Sequence, residues 1–296
     1  MNCAIRTNGL TKVFRHATVL DRLSLEVPEG SIYGLVGPNG AGKTTAIKVL
    51  MNIFPPTGGS SEVLATDSRR LGPRDFAQIG YVSENQELPD WMTVGYFLHY
   101  LAPFYPTWDA ALERELLRQF QLPLDVKLKD LSRGMRMKAS LTSSLAYRPK
   151  LIVLDEPFTG LDALVRDQLI EGLLARAENT TIFLSSHDLG EMESFASHIG
   201  YLDEGKLRLS EELEQLSARF RETVLTFDSP PERPRELPAH WLHLEIAGNV
   251  ARFVDTQYDA DTAPQVARQI FPAYRDLSVS GMPLRAIFVA LAKKER

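Results

Sequence analysis

The sequence predicts an α/β fold with a mixed-sheet core, an inserted helical subdomain and a small α+β appendage at the C-terminal end. Uninterrupted apolar runs of strand length, at residues 32–36, 151–154 and 181–184, have the pattern of parallel strands covered on both faces. A helical stretch over about residues 163–177 separates the last two runs, the alternation from which parallel sheets are built. Past Ser217 the texture changes to short strand-like segments around a proline-rich loop, as expected where a second domain begins.

Each element follows in order. Leu23, Leu25 and Val27 alternate with Ser24 and Glu26 and stop at Pro28-Glu29-Gly30, so antiparallel, half-buried strands are expected to open the chain. The apolar strand 32–36 runs into a glycine-rich loop, and residues 45–52 then form a helix that must end before Pro55-Pro56. Ile79-Gly80-Tyr81-Val82 reads as a further sheet strand. Residues 92–145 are largely helical and sit between the loop unit and strand 151–154, which defines an inserted subdomain over about residues 85–148. Strand 223–227, the loop 230–238, a hairpin around Ala247-Gly248-Asn249 and helices over 263–271 and 283–292 complete the appendage. The predicted domains are residues 1–217 and 218–296.

Composition bounds the function. The chain has 296 residues, 44% of them hydrophobic and 24% charged, ordinary values for a globular protein with a sizeable core. A net charge of −5 argues against a broad nucleic-acid footprint, which shows as a basic domain, so no nucleic-acid partner is expected. No apolar run approaches the roughly 20 residues of a membrane-spanning helix. Met1-Asn2-Cys3-Ala4-Ile5-Arg6 lacks the pattern of a signal peptide, and the single cysteine, Cys3, cannot form an internal disulfide. The expectation is a cytoplasmic protein.

Gly37-Pro38-Asn39-Gly40-Ala41-Gly42-Lys43-Thr44 fits G-x-x-x-x-G-K-[ST] in the strand-to-helix setting that this pattern requires. Its glycines let backbone N–H groups approach phosphate oxygens. Lys43 neutralises the β and γ phosphates, the helix N-terminus adds its dipole, and the Thr44 hydroxyl suits Mg²⁺. Thr45, which opens the helix, is counted with this site. An ordinary glycine-rich turn is the alternative, and the setting speaks against it. Asp155 and Glu156 end strand 151–154, at the carboxyl edge where ligands of parallel sheets collect. Two acids there can divide the work, Asp155 holding Mg²⁺ through water and Glu156 orienting or deprotonating the attacking water. Solvated turn residues are the plainer reading.

The order of residues 37–44, Leu131-Ser132-Arg133-Gly134-Met135, residues 151–157, Gly160-Leu161-Asp162 and His187 resembles the ABC-type ATPase family, a branch of the P-loop NTPases. The likeness runs to about residue 215. It implies ATP and Mg²⁺ as ligands, and a dimer, of two copies or of homologous subunits, that closes on two ATP. Each ATP would be held by residues 37–44 of one subunit and by Ser132, Arg133 and Gly134 of the other. It implies further that His187 meets the γ-phosphate, that Asp162 lies in the dimer interface and that Phe14 stacks on adenine. The plainer readings are a surface histidine, a helix cap at Asp162 and a core phenylalanine.

Two positions depart from the family pattern. The usual glutamine after strand 79–82 is Glu84 by position, with Gln86 two residues on, so either is a candidate for the metal and its water. The second signature glycine is Arg133, a substitution associated with the ABC-2 exporter branch, and Met282-Pro283-Leu284-Arg285-Ala286-Ile287-Phe288-Val289-Ala290-Leu291 is similar to the closing helix of that branch.

Residues 91–108 carry seven aromatics, Trp91, Tyr96, Phe97, Tyr100, Phe104, Tyr105 and Trp108. Either they pack inside the helical subdomain or some form an interface. In the family this region receives a cytoplasmic helix of a membrane subunit, so a separate transmembrane permease is expected to dock near Trp91 and Tyr96. The chain would then lie on the inner face of the cell membrane and drive transport, export by its branch. The alternatives are a soluble ATPase of the same type acting on nucleic acid or ribosomes, and a regulator without transport.

Overall fold

The computed structural model describes residues 2–294, with side chains through Leu291. The chain divides into two compact units, Met1–Ser210 and Glu211–Arg296. The division falls ahead of the change of texture near Ser217. Arg219 accounts for this, since it pairs with Glu211 at 2.8 Å and donates to the Thr256 carbonyl at 2.7 Å, tying residues 211–219 to the second unit.

The first unit opens with strands β1 (Cys3–Phe14), β2 (Ala17–Leu23) and β3 (Glu26–Pro28), then β4 (Ile32–Val36), helix α1 (Lys43–Leu50), β5 (Gly58–Val63), β6 (Thr66–Asp67), α2 (Pro73–Phe76) and β7 (Ile79–Ser83). Helices α3 (Val94–Leu101), α4 (Ala110–Gln119) and α5 (Arg133–Leu145) form the insertion. The chain returns through β8 (Leu151–Asp155), α6 (Ala163–Leu174), β9 (Thr181–Ser186), α7 (Leu189–Glu193), β10 (His198–Asp203) and β11 (Lys206–Glu212). The opening antiparallel strands make a sheet of their own, β2-β1-β5-β6 with β3 on β1, beside a six-stranded sheet in the order β11-β10-β4-β9-β8-β7. Strands β10, β4, β9, β8 and β7 pair in parallel. Every residue of β4, β8 and β9 is buried, which is why their sequences are continuously apolar rather than alternating. Leu10 and Val27 of the first sheet, and Leu25 between β2 and β3, share one core with Leu35, Val153 and Phe183 of the second and Ile47 of α1. Full burial of such side chains is worth about 1.5–3 kcal/mol each.

Register decides where chemistry collects. Val36 pairs with Ser186, Asp155 with Ser185 and Ser83 with Asp155. The loops after β4, β7, β8 and β9 therefore leave the sheet together at its carboxyl edge.

In the insertion, Asp109 caps α4 and Ser132 caps α5. The aromatics of residues 91–108 divide. Phe97 is buried, Tyr105 stacks on Tyr147 with centroids 3.9 Å apart, and Trp108 Nε1 donates to Glu113 at 2.7 Å. Trp91 (65%), Tyr96 (49%), Tyr100 and Phe104 (63%) stay exposed.

The second unit contains α8 (Leu213–Arg219), β12 (Arg221–Phe227), β13 (Trp241–Ala247), β14 (Val250–Asp255), α9 (Ala263–Ile270), β15 (Tyr274–Gly281) and α10 (Leu284–Lys294). Its antiparallel sheet runs β13-β14-β12-β15. Trp241 stacks on Phe253 at 3.8 Å in a core with Leu225, Phe227 and Phe271. Among the described residues no helix is long and apolar enough to cross a membrane.

Candidate active site

The loop after β4 wraps the N-terminus of α1. Gly40 and Gly42 take φ of 85° and 108°, a region that side-chain-bearing residues enter at a cost. Gly37 is needed for a different reason, since a Cβ there would lie 2.1 Å from the Leu202 carbonyl oxygen. The Ala41 amide donates to Pro38 O at 3.1 Å, and the Gly205 amide donates to Ala41 O at 3.0 Å, so the hairpin after β10 braces the loop. Lys43 is only 5% exposed. Its amine donates to Gly37 O (2.7 Å) and Pro38 O (3.2 Å) and lies 3.1 Å from Glu156 Oε1.

Strand ends β8 and β9 supply the acids and the histidine. The Thr44 hydroxyl donates to Asp155 Oδ1 at 3.0 Å, and the Ser185 hydroxyl donates to the same oxygen at 2.8 Å. Ser185 Oγ in turn accepts from the Glu156 amide at 2.9 Å. Burial pushes the Asp155 carboxyl above its ordinary value, against the hydrogen bonds from Ser185 and Thr44. Glu156 Oε2 meets His187 Nδ1 at 2.8 Å and accepts from the Thr159 hydroxyl at 3.1 Å. Burial acts to raise this carboxyl too, but the His187 hydrogen bond and the Lys43 charge outweigh it and hold Glu156 below its ordinary value. Two neighbouring acids are thus pushed in opposite directions, the usual sign of divided roles. Glu156 also has φ of 51°, the left-handed turn that aims its side chain back toward Lys43.

These groups bound a cavity of about 550 Å³ lined by Asn39, Gly40, Gly42, Lys43, Thr44, Thr45, Glu84, Glu156 and His187, together with Val19 and Thr159. The other sequence candidates lie around it. Phe14 is 38% exposed, edge-on to Phe54 at 5.4 Å with Lys12 Nζ 4.7 Å from its ring, and outside the cavity lining. Glu84 lines both this cavity and a neighbouring one of about 470 Å³, and of these two Gln86 lines only the latter, with Arg133 and Arg136. Ser132 Oγ accepts from the Met135 amide at 3.3 Å, and Gly134 fits against Val165, which a Cβ would meet at 2.9 Å. Asp162 caps α6 by accepting from the Val165 amide at 2.9 Å. Arg133, Ser132, Gly134 and Asp162 stand outside the lining of the cavity in their own chain. Sequence reasoning missed Val19, Thr159 and Ser185. Only Ser185, which stands at the same strand end as His187, carried a positional hint.

The comparisons with known proteins fit this geometry. A family model described as ABC transporter matches residues 20–159. A bacitracin transport ATP-binding protein of Enterococcus faecalis is 32% identical over 225 residues, 75% of this chain and 73% of its own. The chain belongs to the ABC transporter ATP-binding family. A daunorubicin/doxorubicin resistance ATP-binding protein of Streptomyces peucetius is 31% identical over 258 residues, 85% of this chain and 78% of its own. A solved ATP-binding subunit of an ABC transporter superposes with a TM-score of 0.67 at 27% identity, over 73% of this chain and 92% of that one. A dimeric ATP-binding cassette bound to ADP and Pi shares the fold, with a TM-score of 0.62 at 23% identity over 71% and 98% of the two chains. The chain is thus an ATP-binding, ATP-hydrolysing transporter subunit, and family members of this kind pair with each other and with a membrane partner. The reading as a soluble ATPase acting on nucleic acid or ribosomes is not favoured.

Proposed function

We propose that this subunit, paired with a second copy or a homologue, closes on two ATP molecules and transmits that closure to a separate transmembrane permease, as part of an exporter. The observation that carries the reading is the convergence of Lys43, Glu156 and His187 on the cavity bounded by the phosphate loop, with one Glu156 oxygen at 3.1 Å from the amine and the other at 2.8 Å from the imidazole.

Residues 37–45 cradle the phosphates through backbone amides and the α1 dipole, and Lys43 exchanges its Glu156 contact for β and γ oxygens. Mg²⁺ suits the donors present. The Thr44 hydroxyl and the buried Asp155 carboxylate are hard oxygen ligands meeting at 3.0 Å, and a cation offsets the cost of that buried charge. Thr44 and Asp155 would hold it, whereas the Glu84 carboxylate is already paired with Arg133. When bound it neutralises charge on the β and γ phosphates. In hydrolysis a water oxygen bonds to the γ phosphorus as the bond to the ADP oxygen breaks. Glu156, kept ionised by its hydrogen bond to His187, accepts a hydrogen bond from that water and orients it. His187 meets Glu156 through Nδ1, and as the imidazolium it would also donate from Nε2 to a γ-phosphate oxygen. Ser132, Arg133 and Gly134 complete the site of the facing subunit, Asp162 lies in the interface, and Phe14 keeps enough open ring surface to receive adenine.

The unit Met1–Ser210 acts as the ATP-binding domain and the unit Glu211–Arg296 as a separate α+β domain. The permease docks on the helical subdomain, where Trp91, Tyr96, Tyr100 and Phe104 are exposed beside a groove of about 430 Å³ lined by Leu88, Phe97, Leu101 and Tyr105. Exposed aromatics of this density are a docking signature. The subunit thereby sits on the inner face of the membrane. Export is supported by the drug-resistance and bacitracin transport names of the relatives. The test is Glu156→Gln, which should keep ATP binding and lower turnover by about 10²–10⁴-fold, the contribution of a positioned acid–base group; unchanged turnover removes Glu156 from this role.

A further inference from the structure

The two departures from the family pattern, Glu84 and Arg133, are partners in the fold. Glu84 directly follows β7, and its amide donates to the Asp155 carbonyl at 3.0 Å. Its backbone is therefore fixed to the strand that carries Asp155 and Glu156, and its side chain lies on the wall of the ATP cavity with Lys43 and Thr44. Arg133, the first residue of α5, pairs through its guanidinium with the Glu84 carboxylate. The same guanidinium lies across Gly160, where a Cβ would come within 2.6 Å of Nη1. One turn further along α5, Arg136 lies 3.5 Å from Asp90 and donates to the Lys129 carbonyl at 3.0 Å. The start of α5 thus supplies a cation to each end of the 84–90 loop.

A carboxylate on the wall of a triphosphate site repels its ligand, which the glutamine usual at that position would not do. We infer that Arg133 is a positioning residue for nucleotide binding within its own subunit, its ion pair with Glu84 holding that carboxylate in place and cancelling its charge beside the phosphates. Glu84 and Arg133 then form one unit, a carboxylate on the cavity wall with its counter-charge directly behind it. The inference rests on the ATP site described above. It concerns the ATP held by the same chain, and so is separate from any contact Arg133 makes with a facing subunit.

The test is a double-mutant cycle read as ATP affinity, at subunit concentrations where the protein is monomeric, with and without Mg²⁺. Arg133 is half exposed at the first turn of its helix, so Arg133→Gln does not open the core. It should weaken ATP binding about threefold to tenfold, the scale of a partly exposed charge contact, and the loss should shrink at high ionic strength. Glu84→Gln should bind ATP at least as well as the natural protein, and on that background Arg133→Gln should cost almost nothing. An equal cost on both backgrounds would overturn the inference while leaving the ATP site intact. Wild-type protein whose ATP affinity is insensitive to Lys43→Ala would overturn the site and the inference together.

Discussion

Gly37→Ala isolates the contact between the phosphate loop and the strand that braces it. The added methyl would lie 2.1 Å from Leu202 O, 3.1 Å from Leu202 C and 3.3 Å from Ala41 Cβ. Leu202 is fully buried in β10, a strand paired in parallel with β4, so the offending atoms are backbone and no rotamer change relieves them. Overpacking a tight interior costs about 1–3 kcal/mol, and a contact of this kind belongs at the top of that range, about 3 kcal/mol. Gly40→Ala is the control in the same loop. Its φ of 85° penalises alanine, but nothing lies within 4 Å of the new Cβ, so its cost is the left-handed backbone alone, about 1–2 kcal/mol. Urea unfolding of each variant, followed with ATP binding, gives both quantities. Gly37→Ala should lose the more stability and should bind ATP more weakly, because the loop must move away from β10. A Gly37→Ala protein as stable as wild type, or less affected than Gly40→Ala, refutes the claim that close approach fixes this position.

Other outcomes follow from the same structure. Trp91→Ala with Tyr96→Ala removes exposed rings whose centroids are 5.8 Å apart; it should release the subunit from membranes containing its permease and leave soluble ATP binding unchanged, as a membrane flotation assay would record. Asp109→Ala removes a cap that accepts from the Ala111 and Leu112 amides and from Arg148. The Leu112 amide first, then Arg148, hold this carboxyl below its ordinary value, so its stabilisation is complete above the unfolded aspartate value of about 3.9 and is lost as pH falls below that value through the lower folded one. Thermal melts should accordingly show the variant destabilised at pH 7, with the difference from wild type shrinking as pH falls below about 3.9.

Strands β4, β8 and β9 were legible because burial on both faces leaves an unbroken apolar run, and residues 37–44 because one loop carries the whole phosphate chemistry. Strand β15 was missed although Leu277 and Val279 alternate with Asp276, Ser278 and Ser280, because so short an alternation is a weak signal and the pairing with β12 comes from a segment distant in sequence. Strand β5 was equally silent. Gly58-Gly59-Ser60-Ser61-Glu62-Val63 has little strand propensity, and its place is fixed by pairing with β1, Thr7 opposite Ser61. The density of aromatics in residues 91–108 was visible, but local sequence could not sort them, and adjacent Tyr96 and Phe97 end up exposed and buried.

In the site, Lys43, Asp155 and Glu156 could be named in advance because each stands at the carboxyl end of a readable strand or loop, and His187 only through the family resemblance. The pairing of Glu84 with Arg133 could not, because two residues on different elements leave no local pattern. Ser185 was hidden for a related reason. A serine at a strand end is ordinary until the register sets it opposite Asp155, where its hydroxyl joins the two acids.

In the proposed function each phosphate loop is half of an ATP site. Light scattering of Glu156→Gln protein should then give a monomer without nucleotide and a dimer carrying two ATP with it; ATP-saturated protein that remains monomeric at every concentration would rule out the shared site.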